Sequence, residues 1–140
     1  MSSSKPYPAV HGEIFVLEDD FDLAPLLRDV LVMAGYDVRL ARTVAEARVL
    51  LTKGSVVAAV LDWSVPGGCA DKLVDQLKAA RIPYVFASGA APSDVPKQHR
   101  WAPFFAKPFA ITSLINALEE GRSNGAPVAG QPSDQDVTHV

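Results

Sequence analysis

Hydrophobic positions along the chain follow two alternating patterns. Short apolar runs are typical of buried strands, and stretches in which apolar residues recur every three or four positions are typical of amphipathic helices. The predicted strands are residues 13–17, 37–41, 56–61, 84–87 and 104–106. The predicted helices are residues 23–34, 43–54, 70–80 and 112–120. Strands and helices therefore alternate from one end of the chain to the other.

This alternation predicts an α/β fold with a doubly wound, five-stranded parallel sheet. Ten or more residues join each strand to the next, which is long enough for the crossover that parallel strands require. Right-handed crossovers leave few topologies, and the flavodoxin-like order 2-1-3-4-5 is the commonest at this size. Signals at the helix ends agree, because Thr43 and Glu46 have capping-box spacing and Gly35 can end the first helix.

Composition sets the expected limits of the domain. Residues 1–10 contain Ser and Pro and predict a flexible leader. Residues 122–140 are rich in Gly, Pro, Ser and Asp and have almost no apolar periodicity, which predicts a disordered tail. The intervening residues 11–121 are enough for one domain.

Composition and charge exclude several classes of protein. The 140 residues are 49% hydrophobic and 21% charged, as in ordinary globular proteins, and the net charge of -3 with scattered Lys and Arg disfavours nucleic-acid binding. Cys69 is the only cysteine, so the chain has no internal disulfide and no thiolate zinc cluster. No apolar run approaches the roughly 20 residues that span a bilayer, and no secretory signal is present, so we expect no membrane partner and a cytoplasmic location.

Three of the predicted strands end on reactive polar side chains. The first runs into Glu18, Asp19 and Asp20, the third into Asp62, and the fifth into Lys107. The carboxyl ends of parallel strands meet at one edge of the sheet, where ligands bind in open α/β folds. Several carboxylates and one ammonium group at one point predict a site for a divalent cation and a phosphoryl group.

Elementary electrostatics supports this interpretation. A buried Asp62 costs several kcal/mol unless a partner compensates for its charge, and converging carboxylates repel one another unless a cation lies among them. Mg²⁺ suits oxygen ligands and phosphate. Lys107 can pair with Asp62 at rest and hold a phosphoryl oxygen later. Ser88, at the end of the fourth strand, adds a hydroxyl at the same edge.

Four motifs in this order resemble the receiver domains of two-component response regulators. They are FVLEDD, VLDWSVPGG, VFASGA and FFAKPF, and the resemblance covers about residues 13–120. It implies a stand-alone receiver that signals by protein contact rather than an enzyme, because no output domain follows in this sequence. Its partners would be a histidine kinase or phosphotransfer protein and an unknown downstream protein.

The resemblance also implies a role for each site residue. Asp62 would be the phosphoacceptor, and Ser88 and Lys107 would contact the phosphoryl group. Mg²⁺ would be bound by Asp62, by Asp19, by Glu18 directly or through water, and by the Ser64 main-chain carbonyl. The switch residues would be Ser88 and Phe104, which takes the place of the family's aromatic residue. The Lys107–Pro108 bond is expected to be cis.

Three other functions compete with this one. A pseudo-receiver would keep the fold as an interaction scaffold without phosphorylation, but Asp19, Asp62, Ser88 and Lys107 are all present. A flavodoxin-type carrier would need an anion-binding loop after the first strand, where the acidic residues would instead repel a phosphate. A phosphatase with an aspartate nucleophile would need a second acid at the position of Ser64.

The stretch between Ser88 and Lys107 predicts a short, irregular or missing fourth helix. It contains Pro92, Pro96 and Pro103, and a proline inside a helix costs about 3 kcal/mol. At most two turns are expected, at residues 93–99 with Ser93 as N-cap.

A degenerate helix here disfavours the dimer that many receivers form through this face. It would leave three side chains exposed as a candidate partner contact, namely His99, Arg100 and Trp101. Trp63 and Trp101 are both expected to be exposed or half-buried.

Overall fold

A computed structural model describes residues 12–53, 55–65 and 70–124. The five strands are β1 (Gly12–Leu17), β2 (Tyr36–Ala41), β3 (Val56–Leu61), β4 (Tyr84–Ser88) and β5 (Phe104–Ala106). The four helices are α1 (Leu23–Met33), α2 (Val44–Leu50), α3 (Asp71–Ala79) and α4 (Ile111–Asn124). The predicted leader and Cys69 lie outside the described residues. Helix α4 continues to Asn124, past the predicted start of the tail, and residues 125–140 are again outside the described ranges.

The strands form one sheet in the order β2-β1-β3-β4-β5, and every neighbouring pair is parallel. The predicted fold class and strand order are therefore confirmed. The register pairs Leu17 with Leu61 and Ser88 with Ala106, so these strands end nearly level with one another. Residues that follow the strands are thereby delivered to the same edge of the sheet.

Alternate residues of the central strands face two separate cores. Phe15, Leu61 and Phe86 lie on one face with the apolar sides of α2 and α3, and Val16 and Val85 lie on the other with α1 and α4. Burying a side chain of this size stabilises the fold by about 1.5–3 kcal/mol. Both faces are covered, which is why the strands are almost continuously apolar. Within the described ranges, no helix is both long and apolar enough to cross a membrane.

Two helix-end predictions are confirmed. Thr43 Oγ1 accepts a hydrogen bond from the Glu46 amide at 3.1 Å, and the Glu46 carboxylate accepts one from the Arg42 amide at 2.9 Å. The Glu46 carboxylate thus reaches the residue before the N-cap, whereas the standard capping box uses the N-cap amide. Gly35 ends the turn after α1 with a φ of 101°, a conformation that favours glycine.

Residues 89–103, which we call the 89–103 segment, contain two separate 3₁₀ turns in place of an α-helix. The turns are Pro92–Asp94 and Lys97–His99. The predicted irregularity is confirmed, but the two-turn helix at residues 93–99 is wrong. Pro96 has an extended ψ of 147° and separates the turns, and Ala91 rather than Ser93 precedes the first turn as its N-cap.

Two expectations about exposure were also wrong. His99 is only 1% exposed, because it packs against α3 and makes polar contacts there. Trp63 is 8% exposed, because its ring lies in the core against Phe86 and His99. Arg100 and Trp101 are exposed as expected.

Candidate functional site

The predicted site residues follow directly from the strand ends. The sheet's hydrogen bonding extends one residue beyond three strands, since the Glu18 amide donates to Ala41, the Asp62 amide to Leu17 and the Lys107 amide to Ser88, each at 3.0 Å. The backbone of each functional residue is therefore fixed by a neighbouring strand. This arrangement preorganises the side chains at the carboxyl edge.

Lys107 lies between two buried carboxylates. Its Nζ donates to Glu18 Oε2 at 2.8 Å and to Asp62 Oδ2 at 2.9 Å. The residues Glu18 and Asp62 are only 1% and 2% exposed, whereas the Lys107 side chain is 22% exposed. The ammonium thus neutralises carboxylates that would otherwise be costly to bury.

Two serines surround the remaining oxygen of Asp62. The Ser64 amide and hydroxyl donate to Asp62 Oδ1 at 3.0 and 3.2 Å. The Ser64 hydroxyl is also 3.5 Å from that of Ser88, whose Oγ accepts from the Ala90 amide at 3.0 Å. The sequence prediction assigned Ser64 only a main-chain role and missed its hydroxyl. Its position two residues after Asp62, where a short side chain can fold back in a turn, is the signal that could have indicated it.

Three carboxylates converge as a metal site requires. Glu18, Asp19 and Asp62 each offer an oxygen, and these oxygens lie within 4.8 Å of one another. With all three ionised beside one ammonium, the group carries two net negative charges, which matches a divalent cation. Carboxylate oxygens are also the ligands that Mg²⁺ prefers. The donor set therefore fits the predicted ion.

Asp20, the third acid of the first motif, has a different role. Its Oδ1 accepts hydrogen bonds from the amides of Asp22 and Leu23 at 2.8 and 3.0 Å. These amides lie at the start of α1, and their hydrogen bonds lower the pKa of Asp20. Asp20 thus initiates the helix, which leaves Glu18 and Asp19 as the acids of the site.

The surroundings of Glu18 and Asp62 shift the pKa values of these two buried carboxyls in opposite directions. Burial raises the pKa of Glu18, helped by the nearby charge of Asp62, and the hydrogen bonds from Lys107 and the Asp20 amide only partly offset this. Burial also acts to raise the pKa of Asp62, but interactions with Ser88, Ser64 and Lys107 outweigh it and leave that pKa below its ordinary value. Asp62 is therefore the carboxyl held as an anion.

The cation of the site is stabilised in its charged form. Burial alone would lower the pKa of Lys107, but its hydrogen bonds to Glu18 and Asp62, and the charges of those two carboxylates, raise it. Lys107 is thus an ammonium at neutral pH, where Asp62 is a carboxylate. The Lys107–Pro108 peptide bond is cis, as predicted.

The predicted switch residues lie in different surroundings. Ser88 is fully buried at the site, beside the Ser64 hydroxyl. Phe104 is half-buried on β5, and its ring packs against Phe86 with the ring centres 6.2 Å apart. The structure therefore brings together the predicted residues except Phe104, which lies beside the neighbouring aromatic cluster. The residues brought together are Glu18, Asp19, Asp62, Ser64, Ser88 and Lys107.

The fold has parallels among solved structures. A scan of protein-family models and a search of curated proteins found no match. SdrG from Sphingomonas melonis Fr1 is 30% identical, with a TM-score of 0.68, and the alignment covers 79% of this chain and 95% of that one. The HemR receiver domain from Leptospira biflexa is 27% identical, with a TM-score of 0.68 and coverage of 80% and 94%.

A third structure extends the likeness in fold. The response regulator receiver domain protein (CheY-like) from Methanospirillum hungatei JF-1 is 19% identical, with a TM-score of 0.73 and coverage of 81% of this chain and 95% of that one. The similarity in each case spans nearly the whole relative and about four fifths of this chain. This chain is a receiver domain of the response-regulator family.

Proposed function

We propose that the protein accepts a phosphoryl group on Asp62 in a Mg²⁺-dependent reaction. The observation that carries this proposal is the setting of Asp62, which is buried at the carboxyl edge and hydrogen-bonded to Lys107 and Ser64. These hydrogen bonds and the one with Ser88 keep its pKa below the ordinary value. Burying an anion costs stability even where partners offset part of the cost, so a buried carboxylate at a strand end is a candidate functional group. A carboxylate held in this way is a nucleophile for phosphorus.

Mg²⁺ would be held by the oxygens of Glu18, Asp19 and Asp62, together with the Ser64 main-chain carbonyl. The convergence of the three carboxylates and their uncompensated charge support this assignment. When bound, the ion would neutralise negative charge that builds up on the phosphoryl oxygens.

The reaction requires little more than positioning. A carboxylate oxygen of Asp62 forms a bond to phosphorus as the bond from phosphorus to the donor's leaving group breaks. Lys107 and Ser88 are placed to donate hydrogen bonds to phosphoryl oxygens, so that Lys107 exchanges its contact with Asp62 for one with the phosphoryl group. The other carboxylate contact of Lys107, to Glu18, keeps the ammonium at the site during this exchange.

The donor would be a histidine kinase or a phosphotransfer protein, and the signal would pass by protein contact in the cytoplasm. The family membership supports a signalling role of this kind. In this proposal Asp62 is an acceptor in a relay, and the aspartyl phosphate is the signal rather than an intermediate of turnover.

The experiment is phosphorylation with acetyl phosphate, followed by intact mass, with Mg²⁺ and with EDTA. The wild type should gain the mass of one phosphoryl group with Mg²⁺ only, and hydroxylamine should remove it. Asp62→Asn should gain nothing. Asp29→Asn, which changes an exposed carboxylate on α1, is the matched control and should behave as wild type. Labelling of Asp62→Asn at the wild-type level would refute the proposal, and a wild type that takes up no phosphoryl group would favour a pseudo-receiver.

A further inference from the structure

The 89–103 segment has few internal hydrogen bonds to fix its position. Its two 3₁₀ turns contribute two backbone hydrogen bonds each, and the Arg100 side chain donates to the Val95 and Ser93 carbonyls at 2.6 and 2.9 Å. These bonds shape the segment but do not attach it to the rest of the protein. The segment is attached by hydrogen bonds at its two ends, from the Ala90 amide to Ser88 and from the Phe86 amide to the Pro103 carbonyl. Between these ends it is held by three buried side chains, Val95, His99 and Ala102, and by a hydrogen bond from Lys78 to the Gln98 carbonyl.

His99 is the polar member of that group, and both of its ring nitrogens contact α3. Lys78 Nζ lies 3.4 Å from Nδ1 and also donates to the Gln98 carbonyl at 2.9 Å. Nε2 contacts the Asp71 carboxylate, so each ring nitrogen of His99 has a polar partner on α3. Asp71 and Lys78 lie at the two ends of α3. We call Asp71, Lys78 and His99 the His99 latch.

The His99 latch also reaches the residue that follows the phosphoacceptor. The Trp63 ring lies with its centre 6.3 Å from that of His99 and 5.8 Å from that of Phe86. Trp63 stands between Asp62 and Ser64, whose amide donates to the Asp62 carboxylate. A displacement of His99 would therefore remove one wall of the Trp63 pocket and disturb the loop that holds Asp62.

A second connection joins the site to the first residues of the 89–103 segment. The Ala90 amide donates to Ser88 Oγ at 3.0 Å, and Ser88 Oγ is 3.5 Å from the Ser64 hydroxyl. The segment is thus attached to the site through Ser88 and again, nine residues after Ala90, through His99 and Trp63. A segment that connects to the site at two points and contains little regular structure is suited to move as a unit.

We propose that His99 is a positioning residue that couples the site to the 89–103 segment. In the resting protein the His99 latch holds the segment on α3, and the contact with Trp63 makes the segment's position depend on the state of Asp62. This coupling rests on the proposed phosphorylation of Asp62. The surface that changes is the exposed part of the segment, including Arg100 and Trp101. Because the segment lacks an α-helix, the latch takes over the task of fixing this surface.

The test compares His99→Phe with its parent in a Trp101→Phe background. The chain has two tryptophans, so this background leaves Trp63 as the only one. Phenylalanine retains a ring against Trp63 but removes both latch hydrogen bonds. Trp101→Phe is also the matched control, because it changes an exposed ring of the same segment that has no latch contact. Two readouts are used: amide exchange of residues 91–101, and Trp63 emission with and without beryllofluoride plus Mg²⁺.

We expect His99→Phe to speed exchange in residues 91–101 by about tenfold or more without any phosphoryl analogue, as the loss of hydrogen bonds to charged groups implies. In the control, beryllofluoride should change both Trp63 emission and exchange in the segment. In His99→Phe that response should be largely lost. Should His99→Phe fail to fold, Asp71→Ala replaces it, since the Asp71 side chain is 43% exposed and its removal leaves the core filled.

Each contrary result has a separate meaning. Unchanged exchange in both His99→Phe and Asp71→Ala would show that the latch does not hold the segment. Faster exchange with an undiminished Trp63 response would show that the segment is held but not coupled to the site. If the control gives no beryllofluoride response, the proposed function fails and the coupling fails with it, while the exchange comparison still decides whether the latch exists.

Discussion

At the scale of single residues, the charge balance of the site depends on Lys107. Glu18 and Asp62 are both buried, and the Lys107 ammonium donates to each of them. Removing one partner of a buried ion pair leaves an uncompensated charge, which costs more than the pair itself contributes. The residue is therefore expected to serve both stability and phosphoryl transfer.

Lys107→Met should lower the free energy of unfolding by about 3 kcal/mol without Mg²⁺, the lower end of the range for a broken buried pair. With Mg²⁺ the loss should be smaller, because the ion would restore positive charge beside the carboxylates. Chemical denaturation at both metal concentrations measures this. Lys72→Met, which removes an exposed lysine of α3, is the control. An equal loss with and without Mg²⁺ would contradict the charge-balance argument.

The free energy of unfolding should depend on pH through Glu18, and the direction of its pKa shift gives the sign. Burial raises the pKa of Glu18 in the folded protein above the ordinary 4.5. The folded protein therefore binds a proton at this carboxyl more tightly than the unfolded chain does. Its contribution to stability is full below pH 4.5 and is lost as the pH rises through the folded pKa. Glu18→Gln, which does not titrate, should therefore gain stability relative to wild type as the pH rises through that window in EDTA, by at most about 1.4 kcal/mol per pH unit. Glu120→Gln, at an exposed position of α4, is the matched control, and a flat difference for Glu18→Gln would count against the raised pKa.

At the level of helices and strands, the sequence predicted correctly those features that depend on strand ends and on prolines. The strand ends predicted where Asp62 and Lys107 would meet, because parallel strands share one carboxyl edge. The prolines predicted the irregular segment. The burial of His99 could not be predicted, since its partners Asp71 and Lys78 lie in α3, 28 and 21 residues earlier in the chain. The Ser64 hydroxyl was also missed, although its spacing of two residues from Asp62 is a local signal for such a contact.

The N-cap of α2 offers a direct test of a local signal. Thr43 Oγ1 accepts from the Glu46 amide at 3.1 Å at the start of a helix of only seven residues. Thr43→Ala should cost about 1 kcal/mol in the free energy of unfolding, the usual cost of losing such a cap. Thr43→Ser keeps the hydroxyl and should cost much less. Equal losses in the two variants would show that the methyl group, not the hydrogen bond, matters.

At the scale of the whole molecule, metal binding and folding are linked. An ion that binds only the folded state stabilises it, by about 2.7 kcal/mol at a hundred times the dissociation constant. The three carboxylates of the predicted metal site come from the loops after β1 and β3, which converge only when the sheet is formed. The unfolded chain therefore has no comparable site.

The variant Asp19→Asn distinguishes the stability that Mg²⁺ binding adds from the stability of the metal-free protein. It should abolish most of the rise in melting temperature that Mg²⁺ gives the wild type, because it removes one of three converging ligands. In EDTA it should be as stable as the wild type or more stable, since one repelling charge is gone. Thermal denaturation across a Mg²⁺ titration measures both effects, with the exposed Asp29→Asn as the control. A full Mg²⁺ response in Asp19→Asn would remove this residue from the metal site.

The most direct test of the central claim is to locate the phosphoryl group chemically. The protein is treated with acetyl phosphate and Mg²⁺, reduced with borohydride, which converts an aspartyl phosphate into homoserine, and mapped by tandem mass spectrometry. We expect homoserine at position 62, dependent on Mg²⁺, and at no other aspartate. Homoserine at Asp19 instead, or none at position 62 in protein that has gained a phosphoryl group, would contradict this expectation.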